Sequence, residues 1–503
     1  MRRLPLVVAL LSSCGQSSTL TIEVLHPTTF PENAEGDLRV SILTTDGKPV
    51  SETTVPLKNL SRYHLADGLS LTHGKPYVLR LTARDLKGSR CATGRAVGQT
   101  TFTYQGSGAQ VVYVDCADVS SATGDMLYFR MLHTATYLPA QPQVVIIGGA
   151  KIDNLAALYT ATATSTLETY SLADGTFHKL NSTLEAGRVW HQAVAGDDQV
   201  VSLGGLKRND TPPPPLTAFA EVARLVHPAP SGEVEVRGAD GTLRARRGLH
   251  AVVPLEGRVL VVGGAQSYTI AGPADLVPGA ELYDLGKNVS TPIAGAATRV
   301  SPAAAPFGPR RALVAGGWSE PSSPKQTEIF CGEGAPGCTC KPPCFMGGAS
   351  LPGERLYLTA TYVPCTTGES GAVYLVGGLE RQTGKDVQHA EIYCVPTSDP
   401  TKLVPYGNLV VGRSNHTTTL VRGTQGPRLF VAGGSNLVGL TGGALDKAEL
   451  VPVACDCTLK SGVAQVALRV KRSGHTATLL PDGTVLLAGG FAEKSAERFN
   501  PDL

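Results

Sequence analysis

Little in this sequence is charged, aromatic or long and apolar. Of 503 residues, 17% are Asp, Glu, Lys or Arg, and the formal net charge is +2. That balance argues against nucleic acid or any strongly charged partner. Aromatic residues amount to 6%, with two tryptophans, Trp190 and Trp318. The apolar run Leu4 to Leu11 is only eight residues, too short to span a bilayer, and no other run approaches a transmembrane length. The local signatures of common catalytic sites are also missing: there is no His-Glu-x-x-His, no Gly-x-Ser-x-Gly and no phosphate loop. Glycine, at 57 residues, is plentiful, which fits a chain with many tight turns.

The chain is organised around its penultimate segment, from Arg472-Ser-Gly-His475 to Ala488-Gly489-Gly490. His475 to Leu480 is an apolar, Thr-rich run, and Pro481-Asp482-Gly483 is turn chemistry, with Gly483 able to take the positive φ of a tight hairpin. Val485 to Ala488 is continuously apolar, as expected of a strand buried on both faces. Gly489-Gly490 then lets the backbone leave the strand sharply, where a Cβ would clash.

This hairpin recurs. Apolar runs ending in Gly-Gly stand at Val144–Gly149, Val200–Gly205, Val259–Gly264, Ala312–Gly317, Val373–Gly378, Leu429–Gly434 and Val485–Gly490. Their second glycines recur every 53 to 61 residues, the period of a stacked supersecondary unit. Upstream stands Arg-x-x-His, at Arg130/His133, Arg188/His191, Arg247/His250, Arg413/His416 and Arg472/His475. The fourth and fifth copies depart, with Arg299 followed by Pro302 and Arg355 by Leu358. Downstream stands Glu two residues before an apolar or aromatic side chain: Glu168/Tyr170, Glu281/Tyr283, Glu328/Phe330, Glu391/Tyr393, Glu449/Val451 and Glu497/Phe499. The second copy has Glu221 followed by Ala223.

Three marks in phase over seven copies resemble the kelch-repeat family of β-propellers, across about residues 125–503. The resemblance implies an all-β fold with seven blades, each a four-stranded antiparallel sheet. One blade cannot bury both of its faces and is stable only when stacked between neighbours. The Trp typical of the family's fourth strand is not a regular mark here. The repeated Arg, His and Glu are expected to be structural, because a residue recurring once per blade is spread around a ring while a catalytic site needs its groups converged. On that reading Glu and Arg pair between strands or blades, and His serves buried backbone groups. The last copy ends four residues after Phe499, too soon for a fourth strand. Gly124 to Phe129, or residues just upstream, is predicted to supply that strand.

The N-terminus reads differently. Met1-Arg2-Arg3, the apolar run and Leu11-Ser12-Ser13-Cys14 resemble a bacterial lipoprotein signal, which implies a signal peptide over 1–13 and lipid attachment at Cys14. Gly15 in place of Asp points to the outer membrane or cell surface. Residues 14–117 carry the anchor and short alternating runs, Leu20 to Val24, Leu38 to Ile42, Tyr77 to Leu81 and Val111 to Val114, the pattern of a small Ig-like β-sandwich. Residues 118–503 form the propeller.

Beyond Cys14, ten cysteines remain, an even number that suits disulfides in an oxidising compartment. Cys91 and Cys116 flank the last strands of the first domain and are expected to pair. In the propeller, Cys331, Cys338, Cys340 and Cys344 follow strand three of copy four. Cys365 lies in the long loop after strand one of copy five, and Cys394 follows that copy's strand three. Cys455 and Cys457 follow strand three of copy six. All eight fall on one face, opposite the Pro-rich segment Asn209 to Leu216, which sits in a loop between strands two and three. Cys365 with Cys394 is the expected pair, as both lie on one face of one copy; the others stay open. Cys338-Thr-Cys340-Lys-Pro-Pro-Cys344 also admits a zinc reading. Its spacing is not C-x2-C and an oxidising compartment opposes free thiols, so disulfides are preferred and no metal or cofactor is assigned.

These readings point to a lipid-anchored, non-catalytic platform that binds a protein or a glycan through propeller loops at the bacterial envelope. Two alternatives stand beside it. A galactose-oxidase-like copper enzyme would need two His, two Tyr and a cross-linked Cys near the axis, and only His178, His227 and His389 lie outside the repeat mark in this region. A structural component of an envelope complex would bind no small ligand.

Overall fold

The turn Pro481-Asp482-Gly483 forms as its residues dictate. Gly483 takes φ 84° and donates its N–H to the Leu480 carbonyl at 2.9 Å. Thr476–Leu479 and Val485–Ala488 then pair antiparallel, Thr476 opposite Ala488. The computed structural model describes residues 2–11, 17–26, 35–56, 63–64, 71–87, 91, 94–105, 108–139, 141–152, 163–196, 199–208, 216–218, 222–226, 235–237, 242–269, 272–320, 322–366, 369–381, 387–436 and 443–502. Cys14, Glu221, His227 and most of the Pro-rich segment lie outside them.

Among the described residues every regular element is a strand. Each of the seven sequence copies contributes to one four-stranded antiparallel sheet. In the first, Thr134–Leu138, Gln143–Ile147, Thr166–Ser171 and Phe177–Thr183 lie side by side in chain order. The same order recurs in sheets whose first strands are Gln192–Ala195, Ala251–Leu255, Ala303–Pro306, Thr359–Pro364 and Thr417–Gly423. First strands of successive sheets are neighbours, and the first strand of sheet seven neighbours that of sheet one.

The continuous apolar character of each second strand now has a cause. Val144, Val145, Ile146 and Ile147 are all fully buried. Val145 and Ile147 enter the core shared with sheet two, beside Val200, whereas Val144 and Ile146 enter the core shared with sheet seven, beside Leu486 and Ala488. Alternate side chains thus feed opposite neighbours. Full burial of each such side chain contributes about 1.5–3 kcal/mol. Similar cores join sheets two to three, three to four, four to five, five to six and six to seven.

Sheet seven takes its outer strand from far away in the sequence. Val119–Ala122 pairs antiparallel with Ala496–Asn500, Val119 opposite Asn500. The segment just upstream of Gly124 therefore supplies the strand that the C-terminus is too short to provide. Ser120 Oγ also donates to Glu497 at 2.7 Å.

Residues 17–116 build two further sheets with Arg2–Leu11 and share one core, in which Ile22 and Val112 meet Leu38, Val40, Ile42, Leu79 and Leu81. Arg2–Leu11 pairs antiparallel with Ser17–His26. Cys91 and Cys116 are disulfide-bonded. This unit meets sheet seven through Asn500, whose Nδ2 donates to the carbonyls of Val97 at 2.9 Å and Asp115 at 2.8 Å. Arg95 pairs with Asp502 at 2.5 Å and Arg428 with Asp118 at 2.7 Å.

Two sheets among the described residues of the repeat region have no place in the repeat, and one is the two-stranded pair Leu379–Glu380 with Val387–Gln388. In the other, Leu206–Arg208 and Leu216–Ala218, inserted in copy two, pair with Ala265–Thr269 and Gly272–Leu276, inserted in copy three. Their core side chains gather with Met131, Val189, Leu249 and Val300, the residues around the Arg marks of copies one to four.

The shared seventh sheet predicts an asymmetry between two truncations. A chain beginning at residue 118 should stay folded, with its melting temperature lowered by the loss of the Asn500 contacts. One beginning at Arg130 should melt far lower, because an outer strand is stripped from sheet seven and the unpaired backbone of Ala496–Asn500 is exposed. Equal melting temperatures by calorimetry would contradict this.

Candidate functional site

The repeated polar residues meet where one copy joins the next. In all seven copies the second glycine donates its N–H to the carbonyl of the following copy's Arg. The pairs are Gly149 to Arg188, Gly205 to Arg247, Gly264 to Arg299, Gly317 to Arg355, Gly378 to Arg413, Gly434 to Arg472 and Gly490 to Arg130, at 2.8–2.9 Å. The last runs from the end of the chain to the first copy. Both glycines of every pair have positive φ, and a Cβ on Gly317 would lie 2.9 Å from the Val300 carbonyl oxygen. Only glycine meets both demands cheaply.

The Arg side chains turn back into their own copies. All seven are buried. In six, Nη1 donates to the carbonyl of the copy's first glycine, at 2.5 Å for Arg130, 2.7 Å for Arg247 and Arg472, 2.8 Å for Arg413, 2.9 Å for Arg299 and 3.2 Å for Arg188. The repeated Glu completes the set: Arg130 pairs with Glu168 at 2.8 Å, Arg247 with Glu281 at 2.6 Å, Arg299 with Glu328 at 2.7 Å, Arg472 with Glu497 at 2.7 Å, and Arg413 with Glu449. Burial lowers the Arg130 and Arg413 pKa values, opposed by their Glu partners. The carboxylates also accept backbone N–H groups; Glu449, for example, takes those of Val410 and Val411. The pairs form within a copy, across its strands.

His joins neighbouring copies instead. His191 Nε2 lies 2.9 Å from Thr134 Oγ1 of copy one, His133 3.0 Å from Thr476 of copy seven, His475 3.0 Å from Thr417, and His416 3.0 Å from Thr359. Burial, then the adjacent Arg, pushes His133 and His416 down to about 3, and His191 and His475 well below the usual range. The sequence reading assigned these rings to backbone groups; their Nε2 atoms bond threonine hydroxyls of the preceding copy. In copy three Gln192 stands where that Thr would be, and His250 finds no partner for either ring nitrogen among the described residues.

The residue just before each His position carries positive φ: Leu132, Trp190, Leu249, Ser301, Tyr357 and Asn415 lie between 50° and 58°, and Gly474 at 63°. Their backbones touch head to tail. Trp190 N–H donates to the Leu132 carbonyl at 3.3 Å, Leu249 to Trp190 at 3.1 Å, Ser301 to Leu249 at 2.8 Å, Gly474 to Asn415 at 3.2 Å and Leu132 to Gly474 at 3.2 Å. Nothing in the residue types announces this.

Beside this backbone lies a cavity of about 390 Å³, lined from copies one, two, six and seven. Its lining residues include Thr134, Thr417 and Thr476, whose hydroxyls bond the His rings, together with Gln192, Asn415 and Trp190. Trp190 stacks on Tyr268 of the inserted sheet, ring centroids 5.0 Å apart. Among the lining residues are no Asp, Glu, Lys or Arg, and the four histidines there are neutral at pH 7.

No protein-family model matches this sequence, and no curated protein does. The fold is similar to the solved structure titled "Structure of YjhT", at 12% identity, covering 69% of this chain and 99% of that one, with a TM-score of 0.48.

The cysteines require a correction. Cys365 does not pair with Cys394. Cys365 bonds Cys455, and Cys394 bonds Cys457, so both bridges tie sheet five to sheet six. Strand two of sheet five, Gly371–Val376, lies between the strands that carry or adjoin the expected partners. Two strand spacings are about 10 Å, beyond the roughly 7 Å that a disulfide spans between Cα atoms. Cys331 bonds Cys338 and Cys340 bonds Cys344. His178 lies in sheet one, and His389 lies in copy five just before the strand Glu391–Pro396. His389 bridges Glu391 at 2.9 Å and Glu380 at 3.1 Å, beside Arg355.

Two measurements test the roles assigned to Glu and His. Glu449→Gln should cost roughly 3–5 kcal/mol, because it strands a buried guanidinium; a denaturant midpoint close to wild type would refute the pairing. The histidines favour the neutral form when folded, so their contribution is complete above about pH 6.5 and is lost on acidification from there toward about pH 3. His416→Leu, which copies the natural Leu358 of copy five, should flatten the fall of melting temperature over that window. An unchanged slope would count against neutral burial.

Proposed function

We propose that the seven repeat sheets are the blades of a closed kelch-type propeller, and that the chain is a lipid-anchored, non-catalytic binding protein of the bacterial envelope whose axial cavity takes a neutral glycan. The observation that carries this reading is where the ionisable groups go. In the copies whose partners are described, Arg and Glu are consumed by one another, and His by threonine or by burial. The lining residues that remain are uncharged, with Thr, Gln192, Asn415 and Trp190 beside the neutral His rings. Those groups suit a ring that offers C–H faces for stacking and hydroxyls for hydrogen bonding, and they give nothing to a charged ligand. A histidine neutral down to about pH 3, with Nε2 engaged by threonine, is also poorly placed for acid–base work near neutrality.

The seven glycine-to-arginine bonds, the seven shared cores and the borrowed strand of sheet seven support ring closure. The Arg2–Arg3 start with Leu11-Ser-Ser-Cys14 supports export and anchoring, and five disulfides suit an oxidising compartment. Cleavage before Cys14 would remove Arg2–Leu11 and leave Ser17–His26 paired in parallel with Gly108–Tyr113.

Trp190 makes the binding reading testable. In a Trp318→Phe background its fluorescence is the only tryptophan signal. Titration with neutral oligosaccharides such as maltotriose and chitotriose should shift that emission saturably, with loss of binding in Gln192→Ala/Asn415→Ala. A response to anionic sugars alone, or to none, would sink the glycan assignment. Cys14→Ser should move the folded protein from membrane to soluble fractions, and retention on membranes after a high-salt wash would argue against lipidation.

A further inference from the structure

The four cysteines of the loop between strands three and four of sheet four are an unusual pair of staples. The flanking strands, Gln326–Cys331 and Cys344–Ser350, already hold each other in register, with Cys331 directly opposite Cys344. The bridges Cys331–Cys338 and Cys340–Cys344 span only 7 and 4 residues, whereas those joining sheets five and six span 90 and 63. Closing so short a loop constrains an unfolded chain least. As cross-links these two bridges add little to what the ladder supplies.

Their sulfurs nevertheless converge. The Sγ atoms of Cys331, Cys340 and Cys344 all lie within 4.8 Å of one another, and Cys338 Sγ is bonded to Cys331 at 2.06 Å. A tetrahedral tetrathiolate site with zinc–sulfur bonds of about 2.3 Å places its sulfurs roughly 3.8 Å apart. Three of the four sulfurs already lie close to that spacing, and Cys338, bonded to Cys331 but outside that group, is the ligand that would have to swing toward Cys340 and Cys344. Gly334 and Gly337, both at φ 70°, supply turns in the loop. Two guanidiniums flank it, since a Cβ on Gly334 would lie 2.7 Å from Arg310 Nη1 and one on Gly337 3.6 Å from Arg311 Nη1. Nearby positive charge favours thiolate over thiol. Cys338, Cys340 and Cys344 are partly exposed, as are Cys365 and Cys455, whereas Cys331, Cys91, Cys116, Cys394 and Cys457 are buried.

We propose that Cys331, Cys338, Cys340 and Cys344 form a redox-gated metal site that binds one zinc ion as a tetrathiolate once both bridges are reduced. Each disulfide takes two electrons and two protons from an external dithiol, which is itself oxidised to a disulfide. Four thiols result, and binding one Zn²⁺ displaces four protons. An all-sulfur ligand set selects zinc or another soft cation over magnesium and calcium. The same loop contributes Gly332, Glu333 and Gly334 to the wall of a cavity of about 460 Å³ that Arg258 and Arg310 also line. Exchange of bridges for metal would therefore reshape that cavity.

The test uses the full chain, reduced with a phosphine under anaerobic conditions, desalted and titrated with Cd²⁺ or Zn²⁺ alone. The expected result is one metal per chain, cadmium–thiolate absorption, and protection of all four cysteines from alkylation read by mass spectrometry. Cys340→Ser/Cys344→Ser should weaken binding at least 100-fold. No uptake by the reduced chain, or equal uptake by that variant, overturns the proposal. A second measurement does not depend on surviving reduction: the chain is produced in a reducing cytoplasm supplied with zinc and its metal content determined. One zinc per chain, lost in the variant, supports the site. A folded chain with four free thiols and no zinc, or a chain that folds only when oxidised, overturns it.

Discussion

The junction at each Arg holds one copy to the next and holds its own copy together. Its carbonyl receives the glycine N–H of the preceding copy; in six copies its guanidinium also reaches its own copy's first-glycine carbonyl, and in five the repeated glutamate. Burying a guanidinium is costly unless every donor finds an acceptor. Arg472 meets that demand with acceptors of different kind, a strand-end carbonyl and a carboxylate that itself accepts a backbone N–H, whereas Arg247 and Arg299 each keep a buried Nε with no partner among the described residues. Each Arg whose partners are described is held by its own copy while its carbonyl serves the neighbour, so strand ends and sheet stacking meet at that junction.

Departures from the pattern separate what is required from what is useful. Copies four and five carry Pro302 and Leu358 in the His position, yet Gly264 and Gly317 still donate to Arg299 and Arg355. The histidine bridge is therefore dispensable at a given junction, while the glycine-to-carbonyl bond is present at all seven. Copy five shifts further. Arg355 stands 3.7 Å from Glu380 and 3.9 Å from Glu391, and His389 inserts between those carboxylates. A histidine from outside the repeat mark thus does part of the work that a direct Arg–Glu pair does elsewhere.

What was legible in the sequence follows the same division. Gly-Gly, Arg and Glu are readable because each answers a backbone or charge requirement that one residue type meets best. The borrowed strand at Val119–Ala122 could be located by asking where the missing partner of Ala496–Asn500 must come from. The inserted sheet was not readable, since Leu206–Arg208 and Leu216–Ala218 are three-residue strands with no periodicity to detect. The pairing of Cys365 and Cys394 failed for a different reason. Sharing a face says nothing about the strand that lies between, and only the spatial order shows that each cysteine is nearer to sheet six than to the other.

The left-handed residues before the His positions suggest how such a scaffold could keep its frame and vary its ligand. A non-glycine residue in this region costs on the order of 1–3 kcal/mol, and six of the seven junctions accept it. The backbone there is held from both sides, by the Arg junction and by the head-to-tail N–H to carbonyl bonds, so the conformation does not depend on which side chain is present. Leucine, tryptophan, serine, tyrosine, asparagine and glycine all occur at it. Four of these residues, Leu132, Trp190, Asn415 and Gly474, line the cavity of about 390 Å³. In the propeller proposed above, a position with a constrained backbone and an unconstrained side chain is where a cavity can change its chemistry without disturbing the junctions that hold the ring.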